Sequence, residues 1–289
     1  MASSAQTVSA ANSGTITLGG ELTVNRLGFG AMRITGEGIW GPPKDRKQAL
    51  AVLRRAIELD VNFIDTADSY GPGTSEELIA EALYPYPDDL VIATKGGWVR
   101  PGPGHWSHNA SPAYLRQAIE DSLKRLRLDR IDVYQLHAPD PAVPFKDSVE
   151  TLAQLREEGK IRLVALSNVT REHVERAQKI VPIVSVQNRY SLADREWENV
   201  VDYCEQNDIA FIPWFPLGAG NIGNAALTRI AKAHDASVMQ VALAWLLQRS
   251  PAMLPIPGTS SVKHLDENIA ASSLKLTKKE FAELSKVTG

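Results

Sequence analysis

The chain has 289 residues, is 44% apolar and 22% charged, and carries a formal net charge of -3 at pH 7. This composition is ordinary for a soluble globular protein, and the length suits one α/β barrel. No basic excess points to a nucleic-acid partner, no uninterrupted apolar run is long enough to span a membrane, and one cysteine, Cys204, excludes an intrachain disulfide framework and a cysteine-built metal site.

Residues 1–13 are rich in Ala and Ser and read as a loose tail. They have neither the basic start nor the apolar stretch of a secretory signal, so a cytoplasmic protein is expected. Residues 14–289 show no linker and are expected to form a single domain. Residues 15–24 (TITLGGELTV) alternate around Gly19-Gly20, which is a hairpin signal. Eight short apolar runs follow, at 28–32, 61–66, 90–95, 131–137, 163–168, 183–188, 210–215 and 253–257. They are apolar on both faces, as parallel strands covered by helices should be. Between them lie amphipathic stretches at 45–59, 111–126, 170–179 and 237–249. Ser111 stands as a cap with Pro112 at the first helical position, and Thr170 caps the third. Eight strands alternating with helices predict a (β/α)8 TIM barrel, with the N-terminal β-hairpin as a plug over its N-terminal end. Cys204 falls in a helical stretch and reads as a small buried apolar residue.

Gly218-Ala219-Gly220-Asn221-Ile222-Gly223 matches G-x-G-x-x-G after a strand and before a helix. The Rossmann context fails, because the run at 253–257 ends without an acid for a ribose and too little chain remains for the rest of that sheet. In a barrel the same segment sits beyond the seventh strand, where bare backbone N–H groups can approach a pyrophosphate. The near match at 28–33 has Arg33 in place of the third glycine.

A β/α barrel carries its chemistry at the C-terminal ends of its strands. There the second run offers Asp65, with Tyr70 in the loop after it, the third Lys95 and the fourth His137. Each has an ordinary structural reading: a helix cap, a packed tyrosine, a surface charge and a core histidine. Together they fit carbonyl reduction, which needs a hydride at carbon and a proton at oxygen. A free tyrosine has a pKa of about 10. A neighbouring Lys95 ammonium is expected to lower it, Asp65 to hold Lys95, and His137 to orient the carbonyl oxygen. Two rivals stand beside this reading. One is an aldolase using Lys95 as a Schiff base, which a nearby Asp65 opposes. The other is a cofactor-binding sensor or scaffold barrel with little turnover.

The stretches Asp65-Thr66-Ala67, Tyr70-Gly71, Lys95, Leu136-His137, Ser167-Asn168 and Gln187-Asn188, in this order, resemble the aldo-keto reductase superfamily over essentially the whole chain after the tail. Gly41-Pro42-Pro43 before Asp45-Arg46, and residues 256–262 (IPGTSSV), resemble its bacterial pyridoxal reductase-like branch. The resemblance implies a catalytic tetrad of Asp65, Tyr70, Lys95 and His137. It points to pyridoxal, aromatic aldehydes or bulky ketones as substrates.

The resemblance also implies a nicotinamide cofactor. Ser167, Asn168 and Gln187 match the partners of the nicotinamide carboxamide, and Trp214 the ring that stacks on it. Phe215, Pro216, Leu217, Gly218 and Gly220 match the loop beside the pyrophosphate. Gly30, Ala31, Met32 and Arg33 match the first strand end near the cofactor, where Asp65 also lies. Glu267 and Asn268 match the pair that holds the adenine. Gly258 and His264 depart from the lysine and arginine that many members use to bind a 2′-phosphate. That role is left to Thr259, Ser260, Lys263 and His264, and NADP(H) is expected in preference to NAD(H).

Residues 96–110 form the longest irregular stretch, a Gly/Pro-rich frame for Trp98, His105, Trp106 and His108. Trp98, His105 and Trp106, with Trp40 from an earlier loop, are the candidate substrate-pocket residues. Such a pocket favours aromatic or bulky carbonyls, with Arg100 as a candidate receiver for an anionic group. His105, His108 and His137 have no carboxylate or cysteine to complete a site, so no metal is expected.

Overall fold

The computed structural model describes residues 8–218 and 225–286. Its strands are β1 (Thr15–Leu18), β2 (Leu22–Asn25), β3 (Phe29–Gly30), β4 (Phe63–Asp65), β5 (Val91–Gly96), β6 (Trp98–Gly102), β7 (His105–His108), β8 (Ile131–Leu136), β9 (Ile161–Ser167), β10 (Ile183–Arg189) and β11 (Ala210–Trp214). Seven of them form one parallel sheet in the order β11-β10-β9-β8-β5-β4-β3. The eighth run closes the ring between its two edges. Leu254 N–H donates to Phe211 C=O at 2.9 Å, and Gly28 N–H donates to Pro255 C=O at 2.9 Å. Pro255 and Pro257 have no N–H to give, so this segment makes an isolated bridge at Met253 rather than a full ladder. The fold is the (β/α)8 barrel.

The helices are α1 (Arg46–Glu58), α2 (Thr74–Leu83), α3 (Pro112–Leu126), α4 (Phe145–Glu157), α5 (Arg171–Gln178), α6 (Glu198–Gln206), α7 (Ala225–Ala233), α8 (Val238–Arg249), α9 (Val262–Ala270) and α10 (Lys278–Leu284). Their starts follow the sequence signals. Asp45, Ser111, Thr170 and Ser237 each accept a backbone N–H at a helix N-terminus. Each such cap is worth about 1 kcal/mol. Cys204 is fully buried in α6, and burial pushes its thiol up to about 12, as an inert structural cysteine requires. Among the described residues no helix is long and apolar enough to cross a membrane.

The apolar interior has two layers. Leu18 and Val24 of the β1–β2 hairpin pack with Phe63, Val91, Val133, Leu163, Val184 and Ile212 inside the ring. The hairpin is the expected plug. Gly19 lies against that floor with φ +58, and a Cβ there would come 2.9 Å from Val184, so the turn needs glycine for both reasons. The outward strand faces pack under the helices.

Two expectations are corrected. The tail is shorter than 1–13, because Ala10–Ser13 form a 3-10 turn and Ala10 is buried. Ala10 N–H donates to Leu59 C=O at 2.8 Å, and Ser272 Oγ donates to Ser9 C=O at 2.7 Å. Residues 96–110 are not irregular: β6 and β7 form an antiparallel hairpin pairing Trp98 with His108. The Pro-Gly-Pro-Gly segment at 101–104 makes its turn, with Gly104 at φ +72. Gly220 and most of the G-x-G-x-x-G segment lie outside the described residues.

Candidate active site

Lys95 points into the ring from β5 and is wholly buried. Its ammonium donates to Asp65 Oδ1 at 2.6 Å, to Thr66 C=O at 2.8 Å and to Tyr70 Oη at 3.5 Å. An ammonium has three hydrogens, and all three are used. Asp65 Oδ2 accepts from Gln135 Nε2 at 2.7 Å and Gln187 Nε2 at 2.8 Å. The Asp65 carboxylate therefore ties β4, β5, β8 and β10 together across the barrel. Gln135 escaped the sequence reading. Its signal was a lone amide in an apolar run (DVYQLH), which a buried strand holds only with a partner.

Tyr70 is set by the loop between β4 and α2. Asp68 N–H donates to Lys95 C=O at 3.1 Å, and Ser75 N–H donates to Tyr70 C=O at 3.1 Å. Gly71 follows at φ +78, where a Cβ would come 2.6 Å from that of Thr74. His137 extends β8, and its ring meets the Tyr70 ring edge-on, with centroids 5.9 Å apart. Ser69 Oγ lies 3.4 Å from His137 Nδ1.

The electrostatics correct one expectation. Burial raises the Tyr70 pKa, and although the Lys95 charge pulls it down, burial and the nearby Asp65 charge win. Tyr70 is thus held protonated, rather than poised as a phenolate. Burial alone would lower Lys95, but Asp65 and Tyr70 together reverse it, so the ammonium keeps its proton. Burial, the Lys95 charge and His108 push His137 well below 6.5, which makes it a neutral imidazole.

The opposite wall starts at the end of β9. Asn168 takes a left-handed φ of +56 and donates from Nδ2 to His137 C=O at 2.9 Å and Ser167 Oγ at 3.1 Å. Its Oδ1 accepts from Trp214 Nε1 at 3.1 Å. Phe215, at φ +51, sets its ring edge-on to Trp214 with centroids 5.0 Å apart. Between these walls runs a cleft of about 760 Å³, from Tyr70 and His137 to Glu267 and Asn268 on α9. That volume is of the size that encloses small molecules and cofactors.

The model of the aldo/keto reductase family matches residues 26–288. The chain belongs to the aldo/keto reductase family. An uncharacterized oxidoreductase of Schizosaccharomyces pombe is 51% identical, over 96% of this chain and 90% of that protein. Pyridoxine 4-dehydrogenase of Escherichia coli is 45% identical, over 96% of this chain and 99% of the enzyme, in keeping with the pyridoxal reductase-like branch. A crystal structure of an aldo-keto reductase from Klebsiella pneumoniae in complex with NADPH has a TM-score of 0.80 and 30% identity, covering 94% of each chain.

In this aldo/keto reductase the cleft lining includes Asp65, Tyr70 and His137, with Lys95 behind them. Ser167, Asn168, Gln187, Trp214, Phe215, Pro216, Leu217, Gly30, Met32 and Arg33 also line it. Gly258, Thr259, His264, Glu267 and Asn268 complete the far end. Ala31 is buried in the core instead, and Gly218, Ser260 and Lys263 stand outside the lining, with the Lys263 side chain 83% exposed. On the substrate side Trp98 and Trp106 line the cleft. Trp40 and His105 do not, since Trp40 packs under Arg100 and His105 points to solvent from β7. Ile39, Met239 and Ile256 line the cleft without having been singled out. Apolar residues at helix and strand spacing carry no mark that separates a cleft wall from core.

Arg100 is no anion receiver. It stands outside the cleft lining, and four of its five N–H groups donate to backbone carbonyls, those of Gly38, Ile39, Ser69 and His105. Among the described residues no group of His, Cys, Asp and Glu is placed to hold a metal ion.

The cleft residues fit the nicotinamide cofactor that the family implies. Ser167 Oγ accepts from Asn168 and keeps its own hydrogen to give, and Gln187 Nε2 is held by Asp65, which turns its amide oxygen to other partners. The floor near the far end is bare backbone. A Cβ on Gly258 would lie 2.4 Å from Gly30 C=O, so a side chain has no room at this position unless the backbone shifts.

Proposed function

We propose that this chain is an NADP(H)-dependent carbonyl reductase that converts aldehydes or ketones to alcohols, with Tyr70 as general acid. The observation that carries this reading is the buried line from Asp65 through Lys95 to the Tyr70 hydroxyl at the cleft floor. Ser167, Asn168, Gln187 and Trp214 would hold the nicotinamide, which would supply the hydride. Tyr70, held protonated by burial, gives its proton to the carbonyl oxygen. The Lys95 ammonium then stabilises the phenolate left behind, and Asp65 keeps Lys95 charged. His137 is neutral; with Ser69 Oγ donating to Nδ1 and the ring proton on Nε2, it would direct an N–H toward the same oxygen. In oxidation the tyrosine runs in reverse as base.

The adenosine phosphate is assigned to Thr259 and His264 in the lining, with Ser260 and Lys263 at its edge. The 45% identity with a pyridoxine 4-dehydrogenase supports the pyridoxal–pyridoxine pair as substrate and product. The aromatic wall of Trp98 and Trp106 suits aromatic aldehydes and bulky ketones as well. The working compartment in this reading is the cytoplasm, where NADPH supply favours reduction. A Schiff-base aldolase is disfavoured, because Lys95 is ion-paired and its pKa raised.

The test is NADPH oxidation over pyridoxal, aromatic aldehydes and bulky ketones, with wild type and Tyr70→Phe. The variant should lose about 10²- to 10⁴-fold in kcat and keep its NADPH affinity. Full activity in the variant would remove Tyr70 from its role. Tight NADPH binding with no turnover by wild type would favour a sensor barrel, and a clear preference for NADH would overturn the cofactor assignment.

A further inference from the structure

We propose that Arg100 is a positioning residue that locks the aromatic substrate wall, and that this wall selects flat aromatic carbonyl compounds over small aliphatic ones. The inference rests on the reductase reading above and names the substrate class of that site.

Arg100 stands on β6 with 8% of its surface exposed. Nε donates to His105 C=O at 3.0 Å, across its own hairpin. Nη2 donates to Gly38 C=O at 2.9 Å and Nη1 to Ile39 C=O at 2.8 Å, on the loop after β3. Nη1 also reaches Ser69 C=O at 3.4 Å, one residue before Tyr70. The planar fork thus joins three segments that are far apart in sequence: the first loop, the catalytic loop and the β6–β7 hairpin. The guanidinium also lies 3.8 Å from the ring centre of Trp106 and 5.7 Å from that of Trp40. Trp106 in turn meets Trp98 edge-on at 6.0 Å, and Trp98 faces His137 at 6.4 Å. A chain of rings therefore runs from Arg100 to His137. Trp106 is 36% exposed, and its covered side meets the Arg100 guanidinium and the Trp98 ring.

The same commitment decides the character of the pocket. At the Tyr70 end the lining is Ile39, Tyr70, Trp98, Trp106 and His137, with Asp65 as the charged group. Arg100 is occupied, Lys95 has spent its hydrogens, and His137 is neutral. The lining basic side chains, Arg33 and His264, accompany Phe215 and α9 instead. A small aliphatic carbonyl would leave the Trp98 and Trp106 rings without a partner surface. A flat neutral ring would find aromatic edges and faces.

The experiment measures benzaldehyde, 4-carboxybenzaldehyde and propanal reduction in wild type, Arg100→Gln and Arg100→Lys, with NADPH affinity and amide hydrogen exchange of residues 98–108. Wild type should favour benzaldehyde over propanal by at least about tenfold in kcat/KM. Arg100→Gln should raise KM for benzaldehyde about tenfold, while propanal and NADPH affinity change by less than about threefold and exchange in the hairpin quickens. Arg100→Lys should recover little, because an ammonium cannot span four carbonyls in one plane. Trp106→Ala removes the wall without the tether and should reproduce the benzaldehyde loss. A loss in Arg100→Gln confined to 4-carboxybenzaldehyde would make Arg100 an anion receptor and overturn the proposal, as would an unchanged benzaldehyde-to-propanal ratio. If wild type reduces none of the three, the reductase reading fails. The exchange measurement still decides the tether, which unchanged exchange would overturn.

Discussion

At the Tyr70 end of the cleft the charged groups are buried and bonded to partners on other strands, whereas at the α9 end they stand in solvent. Lys95 and Asp65 are 0% and 2% exposed and 2.6 Å apart. Lys263 and Glu267 are 83% and 45% exposed and 3.9 Å apart. The first arrangement fixes geometry before a substrate arrives, because every donor is already aimed. The second leaves side chains free to adjust to a phosphate and contributes little to the fold. One cleft thus combines a rigid place for bond-making with a yielding place for binding.

The sharpest way to break this comparison is to unpair the buried end. Lys95→Met leaves the Asp65 carboxylate buried, with the two glutamine amides on Oδ2 and nothing on Oδ1. Loss of one partner of a buried ion pair costs about 3–5 kcal/mol. Thermal unfolding should show it, and activity should vanish. Adding Asp65→Asn removes the stranded charge, so the double variant should regain most of the stability and none of the activity. If Lys95→Met alone unfolds like wild type, the pair does not organise the floor.

The next test uses a buried acid that is badly paired. Asp68 Oδ2 accepts from Tyr114 Oη at 2.7 Å, but Oδ1 has no partner. Burial first, and then the charge of Glu76, raise its pKa to about 7. A folded-state pKa above the unfolded value means that the neutral form is preferred. Stability is then full at acid pH and falls as pH rises from about 4 toward 7. Asp68→Asn mimics the neutral form. Its advantage in Tm over wild type should be small at pH 4, grow to a few kcal/mol equivalent by pH 7, and level off above. A difference that does not vary with pH would show that Asp68 stays ionised throughout.

The two ends were also unequally readable in the sequence. Strands and capped helices were readable from apolar runs and cap residues, and the cluster of Asp65, Tyr70, Lys95 and His137 from its joint placement at successive strand ends, since each alone has an ordinary reading. Asp65, Lys95 and His137 each interrupt an apolar run. The roles of Arg100 and Gln135 were hidden, since their partners are backbone carbonyls and amides far along the chain, which no local pattern records. The eighth strand was read as a strand from its apolar residues, yet Pro255 and Pro257 reduce it to a bridge. Burial also changed the sign of the net effect at Tyr70, because a sequence lists the lysine but not the missing water.

The smallest expected effect lies at the α9 end, where the comparison is most open to sharpening. His264 lines the cleft near the start of α9, while Lys263 beside it points outward. Neither supports the core, so His264→Ala and Lys263→Ala should each leave Tm close to wild type. Both should weaken NADPH more than NADH, since the two cofactors differ by one phosphate. The His264 change should act at all salt concentrations, because its partner would be met inside the cleft. The Lys263 change should be no more than about threefold and fade at high salt, as an exposed charge does within a Debye length. Equal, salt-independent losses at both positions would mean that Lys263 folds inward onto the cofactor, and the α9 end would then be more ordered when loaded than its exposure suggests. No loss at either position would leave Arg33 as the remaining cation in the lining, and with it the choice between the two cofactors.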